Sequence, residues 1–135
     1  MIQIEKISSD EAQKIINYCV DYLKKDHKAA AIAVAGPEGE LIAFIRMDGT
    51  TPASARIAQN KAYTSAIDRT ETGRMGERMR GKDNPAFWGD RRITGFGGGV
   101  PVIHNGKVVD AIGVSGLPEA DDEQLAREAV HSLTN

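Results

Sequence analysis

The dipeptide Asn105-Gly106 lies between two apolar runs and constrains this chain more than any other feature. A two-residue hairpin turn of type I′ needs positive φ at both central positions, which Asn and Gly tolerate best. With that turn fixed, His104 pairs with Lys107, Ile103 with Val108, Val102 with Val109 and Pro101 with Asp110. Strand alternation then puts Pro101, Ile103, Val108, Asp110, Ile112 and Val114 on one face, with Asp110 its only charged member. If a helix covers that face, the carboxyl must be paired or keep its proton, and such groups are candidate acid/base catalysts. If the hairpin projects into solvent, the acid is ordinary.

The rest of the chain supplies partners for this hairpin. Ser8-Ser9-Asp10-Glu11 has capping-box spacing, and Ala12, Ile15, Ile16, Cys19, Val20 and Leu23 continue it as an amphipathic helix to about Lys25. Two apolar runs, 29–35 and 41–47, flank Gly36-Pro37-Glu38-Gly39 and read as a second hairpin. Thr51-Pro52 supplies an N-cap and an N1 proline for a helix over 52–69. One side of it is small (Ala55, Ala58, Ala62, Ser65, Ala66), and Lys61, Thr64 and Asp68 form a line on another. Residues 70–92 are glycine-rich, with a short helix expected near 74–80. Phe87-Trp88 in the following loop either anchor it to the core or wall a ligand or subunit contact. A terminal helix starts at 118–122, with Leu125, Ala126, Ala129, Val130 and Leu133 as its stripe. Helices alternating with hairpins predict an α+β domain, an antiparallel sheet flanked by helices.

At 135 residues, with 41% apolar content, residues 1–135 are expected to form one domain. No apolar run is long enough to cross a membrane, and the charged, strand-like start of the chain lacks a signal-peptide core, so a cytoplasmic protein is expected. Cys19 is the only cysteine, which excludes an intrachain disulfide and CxxC metal or haem-attachment motifs. A net charge of −2 argues against nucleic-acid binding. The charge is uneven, however: residues 69–92 hold seven Lys/Arg against four Asp/Glu. Such a patch is either a solvated, salt-bridged face or a seat for a small anion.

Gly97-Gly98-Gly99 precede a strand and match no nucleotide-binding loop; they read as a strand crossover or as an anion-binding nest of backbone N–H groups. His27, His104 and His131 have no metal-ligand spacing, so no metal site is expected. Ser115 has no readable base beside it.

Three separated blocks, "FIRMDGTTPASARIAQNKAYTSA" (44–66), "GGGVPV" (97–102) and "GKVVDAIGVSG" (106–116), followed by "DDEQLAREA", resemble the GlcG/HbpS family, also called the haem-degrading or DUF336 domain. The resemblance covers about residues 29–129. It implies a profilin-like α/β/α sandwich around a five-stranded antiparallel sheet and assembly into homo-oligomers. It also implies a pocket near Asn60, Lys61, Thr64, Gly98, Gly99 and Pro101. Where the family commonly has Gly before "AIGVSG", this chain has Asp110.

Three functional expectations follow. In the first, the protein binds haem or another planar anionic tetrapyrrole, with Arg and Lys of the 69–92 patch on the propionates, the aromatic loop over the ring and a His, Met or Thr as axial ligand. In the second, it is a cofactor-independent lyase or isomerase: Lys61 and Arg74 or Arg78 hold a carboxylate, Ser115 lies near, and Asp110 moves a proton. In the third, it is a non-catalytic oligomeric protein.

Overall fold

The computed structural model describes residues 1–133. Its elements run α1 (Ser9–Lys25), β1 (Ala31–Ala35), β2 (Leu41–Arg46), α2 (Pro52–Asp68), α3 (Thr72–Arg80), a 3-10 turn (Pro85–Trp88), β3 (Gly99–His104), β4 (Lys107–Ser115) and α4 (Glu119–Ser132). The start signals act as expected. Ser8 Oγ accepts the Glu11 N–H at 3.1 Å while Glu11 Oε1 accepts the Ser8 N–H at 3.1 Å, closing the capping box of α1. Thr51 Oγ1 accepts the Ser54 N–H at 3.0 Å and caps α2.

The four strands pair antiparallel in the order β2-β1-β4-β3. On one face, Ile32, Val34, Val100, Ile112 and Val114 form the main core with the stripes of α1 and α4. Cys19 is buried there, its thiol pushed up to about 12 by burial, as suits a small hydrophobe. On the other face, Ala31, Ala33, Ala35 and Ala111 meet Ala58, Ala62 and Ala66 of α2. The small residues let helix and sheet touch backbone to backbone. A Cβ added at Gly113 would lie 2.2 Å from the Ala58 carbonyl oxygen and 2.6 Å from the Ala62 nitrogen.

The central hairpin follows its turn and then departs from it. Asn105 and Gly106 have φ of 51° and 75°, and His104–Lys107 and Ile103–Val108 pair as predicted. Val109 is then an extra residue, a β-bulge, so that Val102 pairs with Asp110 and Pro101 with Ala111. The expected Pro101–Asp110 pair is therefore absent. The reason lies in the faces: in an unbulged register Val100 would sit beside Ala111, on the side where α2 lies closest. The bulge puts Val100 and Val102 with Ile112 and Val114, and leaves the α2 side to small residues.

Three further expectations are corrected. The sheet has four strands among the described residues, not five. Residues 1–7 make no ladder; Ile2 and Ile4 are exposed, and the backbone hydrogen bond to the sheet is Ile7 N–H to the Val109 carbonyl, 3.3 Å. Nor does the aromatic pair anchor its loop to the core: Phe87 is 87% exposed, and Trp88 lies 5.1 Å below the Arg78 guanidinium.

Candidate functional site

Lys61 sits midway along α2, on the side facing β4. Its stem passes Gly113, and its ammonium emerges at the strand's end. There it donates to the Val114 carbonyl at 2.7 Å and to Asp122 Oδ2 at 3.1 Å. Asp122 Oδ1 in turn accepts the Leu117 N–H at 3.1 Å, tying the first turn of α4 to the strand that precedes it. Both residues are nearly sealed from solvent, at 2% and 3% exposure. Burial draws the Lys61 ammonium below its usual range and raises the Asp122 carboxyl, in each case against the attraction of its partner. Desolvation thus works against the charge on both members of the pair, and their mutual contact favours it.

The glycine loop closes over this pair. Gly98 has φ of +124°, and a Cβ there would stand 2.8 Å from Lys61 Nζ and 2.6 Å from the Val114 oxygen. Its neighbours are not an open nest. The Gly97 N–H donates to Glu119 Oε1 at 2.8 Å and the Gly99 N–H to Thr72 Oγ1 at 2.8 Å, so the chain's own side chains take the place expected for an anion. Above the pair lies a cleft of about 330 Å³, lined by Ser54 and Ile57 of α2, Phe96, Ser115, Leu117 and Glu119.

Of the expected site residues, Lys61 and Ser115 line this cleft, Gly98 packs against the Lys61 ammonium, and Gly99 lies against the Lys61 carbonyl and Thr72. Asn60 faces a separate 220 Å³ cavity beside Tyr63 and Arg92. Thr64 is structural: its Oγ1 accepts the Thr94 N–H at 3.1 Å and donates to the Arg92 carbonyl at 3.2 Å. Arg78 pairs with Asp68 at 2.5 Å, and Arg74 is exposed on α3. Pro101 is half-buried in β3.

Asp110 is on the opposite side of the sheet. It shares its face with Ile112 and Val114, which pack against α1 and α4, while Lys61 and α2 cover the face of Ala111 and Gly113. One site cannot use both residues. The sequence reading missed Asp122, Glu119 and Phe96. The acids read only as the favourable start of a helix, and the one available signal was an acid four residues after Pro118, directly behind Ser115-Gly116. Among the described residues no cluster of His, Cys, Asp and Glu is arranged to hold a metal ion. Among the described residues no helix is long and apolar enough to cross a membrane.

The model of the family described as haem degrading protein HbpS-like matches residues 7–131. The chain belongs to the HbpS-like family. This HbpS-like chain is 39% identical over 109 residues to protein GlcG of Escherichia coli (strain K12), covering 81% of each. The fold of Klebsiella pneumoniae protein ORFY, a DUF336 structure, superposes with a TM-score of 0.92 at 27% identity, over 99% of this chain and 94% of that one. Streptomyces reticuli HbpS, as a double mutant, gives a TM-score of 0.89 at 28% identity, over 98% and 90%. The HbpS-like chain thus shares an α+β architecture with its relatives along nearly its whole length.

Proposed function

We propose that the cleft above Lys61 and Asp122 binds a planar tetrapyrrole of the haem type through its ring and edge groups, with no side chain of this chain bound to the metal. Family membership supports the ligand class, since the matching family is described as haem degrading. The lining supports the mode of binding. Phe96, 57% exposed at the mouth, and the half-buried Ile57 and Leu117 offer apolar surface for a ring face. The residues lining the cleft include no His, Cys or Met, and His104 and His27 border other cavities. The fit is therefore to the ring and not to the iron.

A cleft of about 330 Å³ is at the small end for ligand sites, so much of a macrocycle would stand outside it. Haem, when bound, supplies redox and light-absorbing chemistry. The chain's own part is to hold the ring edge: Ser54 and Ser115 offer hydroxyls, and Lys61 has one N–H beyond its two bonds. Phe96 poised above the buried pair is the observation that carries this reading. Titration of the purified chain with haemin and with metal-free protoporphyrin IX tests it. Both should bind saturably near one equivalent per chain and with similar affinity. A merely non-specific absorbance change would remove the ligand class, and a strong preference for haemin would remove the mode.

A second reading rests on a different observation, the buried Lys61–Asp122 pair at the floor of a cleft. Here the chain is a small-molecule lyase or isomerase in which Lys61 and Asp122, not Asp110, move the proton. Under this reading Asp122→Asn abolishes turnover, while Asp110→Asn leaves it intact.

A further inference from the structure

Asp110 is the buried group that the cleft does not use. Its carboxyl is 0% exposed on the α1/α4 side of β4, and among the described residues neither oxygen receives a hydrogen bond of good geometry, although the Ala111 N–H lies near enough to act on it. The charges that reach it come from three elements: Lys6 of the N-terminal segment, Glu11 in the first turn of α1 and Glu40 of the β1–β2 turn. All three are engaged elsewhere. Lys6 pairs with Glu40 at 3.1 Å, and Glu11 is held in the capping box of Ser8. From β3 the cross-strand neighbour is the apolar Val102; further along, His104 pairs with Glu5 at 2.9 Å. An ionised carboxylate at Asp110 would thus be buried with no counter-ion in contact, whereas the neutral acid leaves only weak groups unsatisfied.

Beside this position runs the N-terminal segment, residues 1–7, as a strap. The Ile7 N–H bonds to the carbonyl of Val109, the residue just before Asp110. Ile7 is the one buried side chain among residues 1–7. Beneath the strap is a cavity of about 480 Å³ whose walls include Val102, Val109 and Leu133.

We propose that Asp110 is a proton-operated latch for the N-terminal strap: the neutral acid seats Ile7 against β4 and covers the cavity, and loss of the proton lifts residues 1–7 so that the carboxylate reaches water. One proton leaves to solvent for each strap released. Desolvation pushes the Asp110 carboxyl up to about 8, against the nearby Ala111 N–H, which favours the carboxylate; the fields of Glu40 and Glu11 reinforce the shift and that of Lys6 opposes it. The lifted state holds an ordinary, ionised carboxylate, so its population grows as pH rises toward that value.

Hydrogen exchange at the Ile7 amide, corrected for the intrinsic pH dependence, tests this on the full chain between pH 6 and 9.5. The opening constant should rise by up to tenfold per pH unit to about pH 8 and level off above it. Asp110→Asn should give a flat profile. Lys6→Met should move the levelling point upward and Glu40→Gln downward, because the two charges act on Asp110 with opposite sign. A flat wild-type profile, or the same slope in Asp110→Asn, overturns the latch. If Asp110→Asn does not fold, the carboxyl is titrated directly in the wild-type chain by its carbon chemical shift. A midpoint in the ordinary carboxylate range near 4 overturns the proposal, and a midpoint near 8 sustains it.

Discussion

Lys61 of α2 and Asp122 of α4 meet 3.1 Å apart across the end of β4, each almost sealed from solvent. The contact joins elements from three parts of the chain, since the same ammonium also holds the Val114 carbonyl. It is therefore both the floor of the cleft and a clamp on the fold.

Removing one partner strands the other charge in a dry site. Lys61→Met is expected to cost about 3–5 kcal/mol, and replacing both partners by apolar residues should recover much of the loss. Recovery will be incomplete, because Asp122 also accepts the Leu117 N–H. Urea unfolding of the two single variants and the double variant measures this; a loss below about 1 kcal/mol in Lys61→Met would contradict the buried pairing.

Gly113→Ala should be more disruptive than its one methyl suggests. The new Cβ would meet the Ala58 and Ala62 backbone, which cannot turn aside as a side chain can. A loss of about 3 kcal/mol or more in thermal or chemical unfolding is expected, at the upper end of overpacking.

The stability of the wild-type chain should carry the imprint of Asp110. The folded state keeps the proton to about pH 8, while the unfolded carboxyl loses it near 3.8. Folding is thus unhindered by this group below about pH 4, loses stability steadily as pH rises, and shows the full cost above about pH 8. Asp110→Asn should remove that slope and be more stable than wild type at pH 9, by an amount on the order of a few kcal/mol. Unfolding curves at several pH values for both chains give the comparison.

Phe96→Ala probes the rim of the cleft without touching the core. The ring is largely exposed and makes no contribution to either apolar cluster. Stability should change by less than about 0.5 kcal/mol. Affinity for protoporphyrin IX should fall by roughly tenfold, equivalent to about 1.4 kcal/mol, in fluorescence quenching titrations.

Most of the scaffold was readable because its signals are local. The Ser8 box, the Thr51-Pro52 start and the Asn105-Gly106 turn each fix their own few residues. The bulge at Val109 was not readable, because no turn residue marks it; it arises from sorting large side chains to one face and small ones to the other, which is a property of the whole sheet. That single residue moved Asp110 away from Pro101. The site was half legible for a similar reason: Lys61 and Gly98 stood out, but Asp122 becomes a partner only when α4 folds back onto the end of β4.

The protonated Asp110 also changes what the folded molecule is as an ion. The formal charge of −2 and isoelectric point of 5.9 treat every carboxylate alike. With one acid neutral, the native chain near neutrality carries one negative charge fewer than the same chain unfolded. Its isoelectric point should then lie above 5.9, and native and denatured forms should migrate differently in an electric field although their composition is identical.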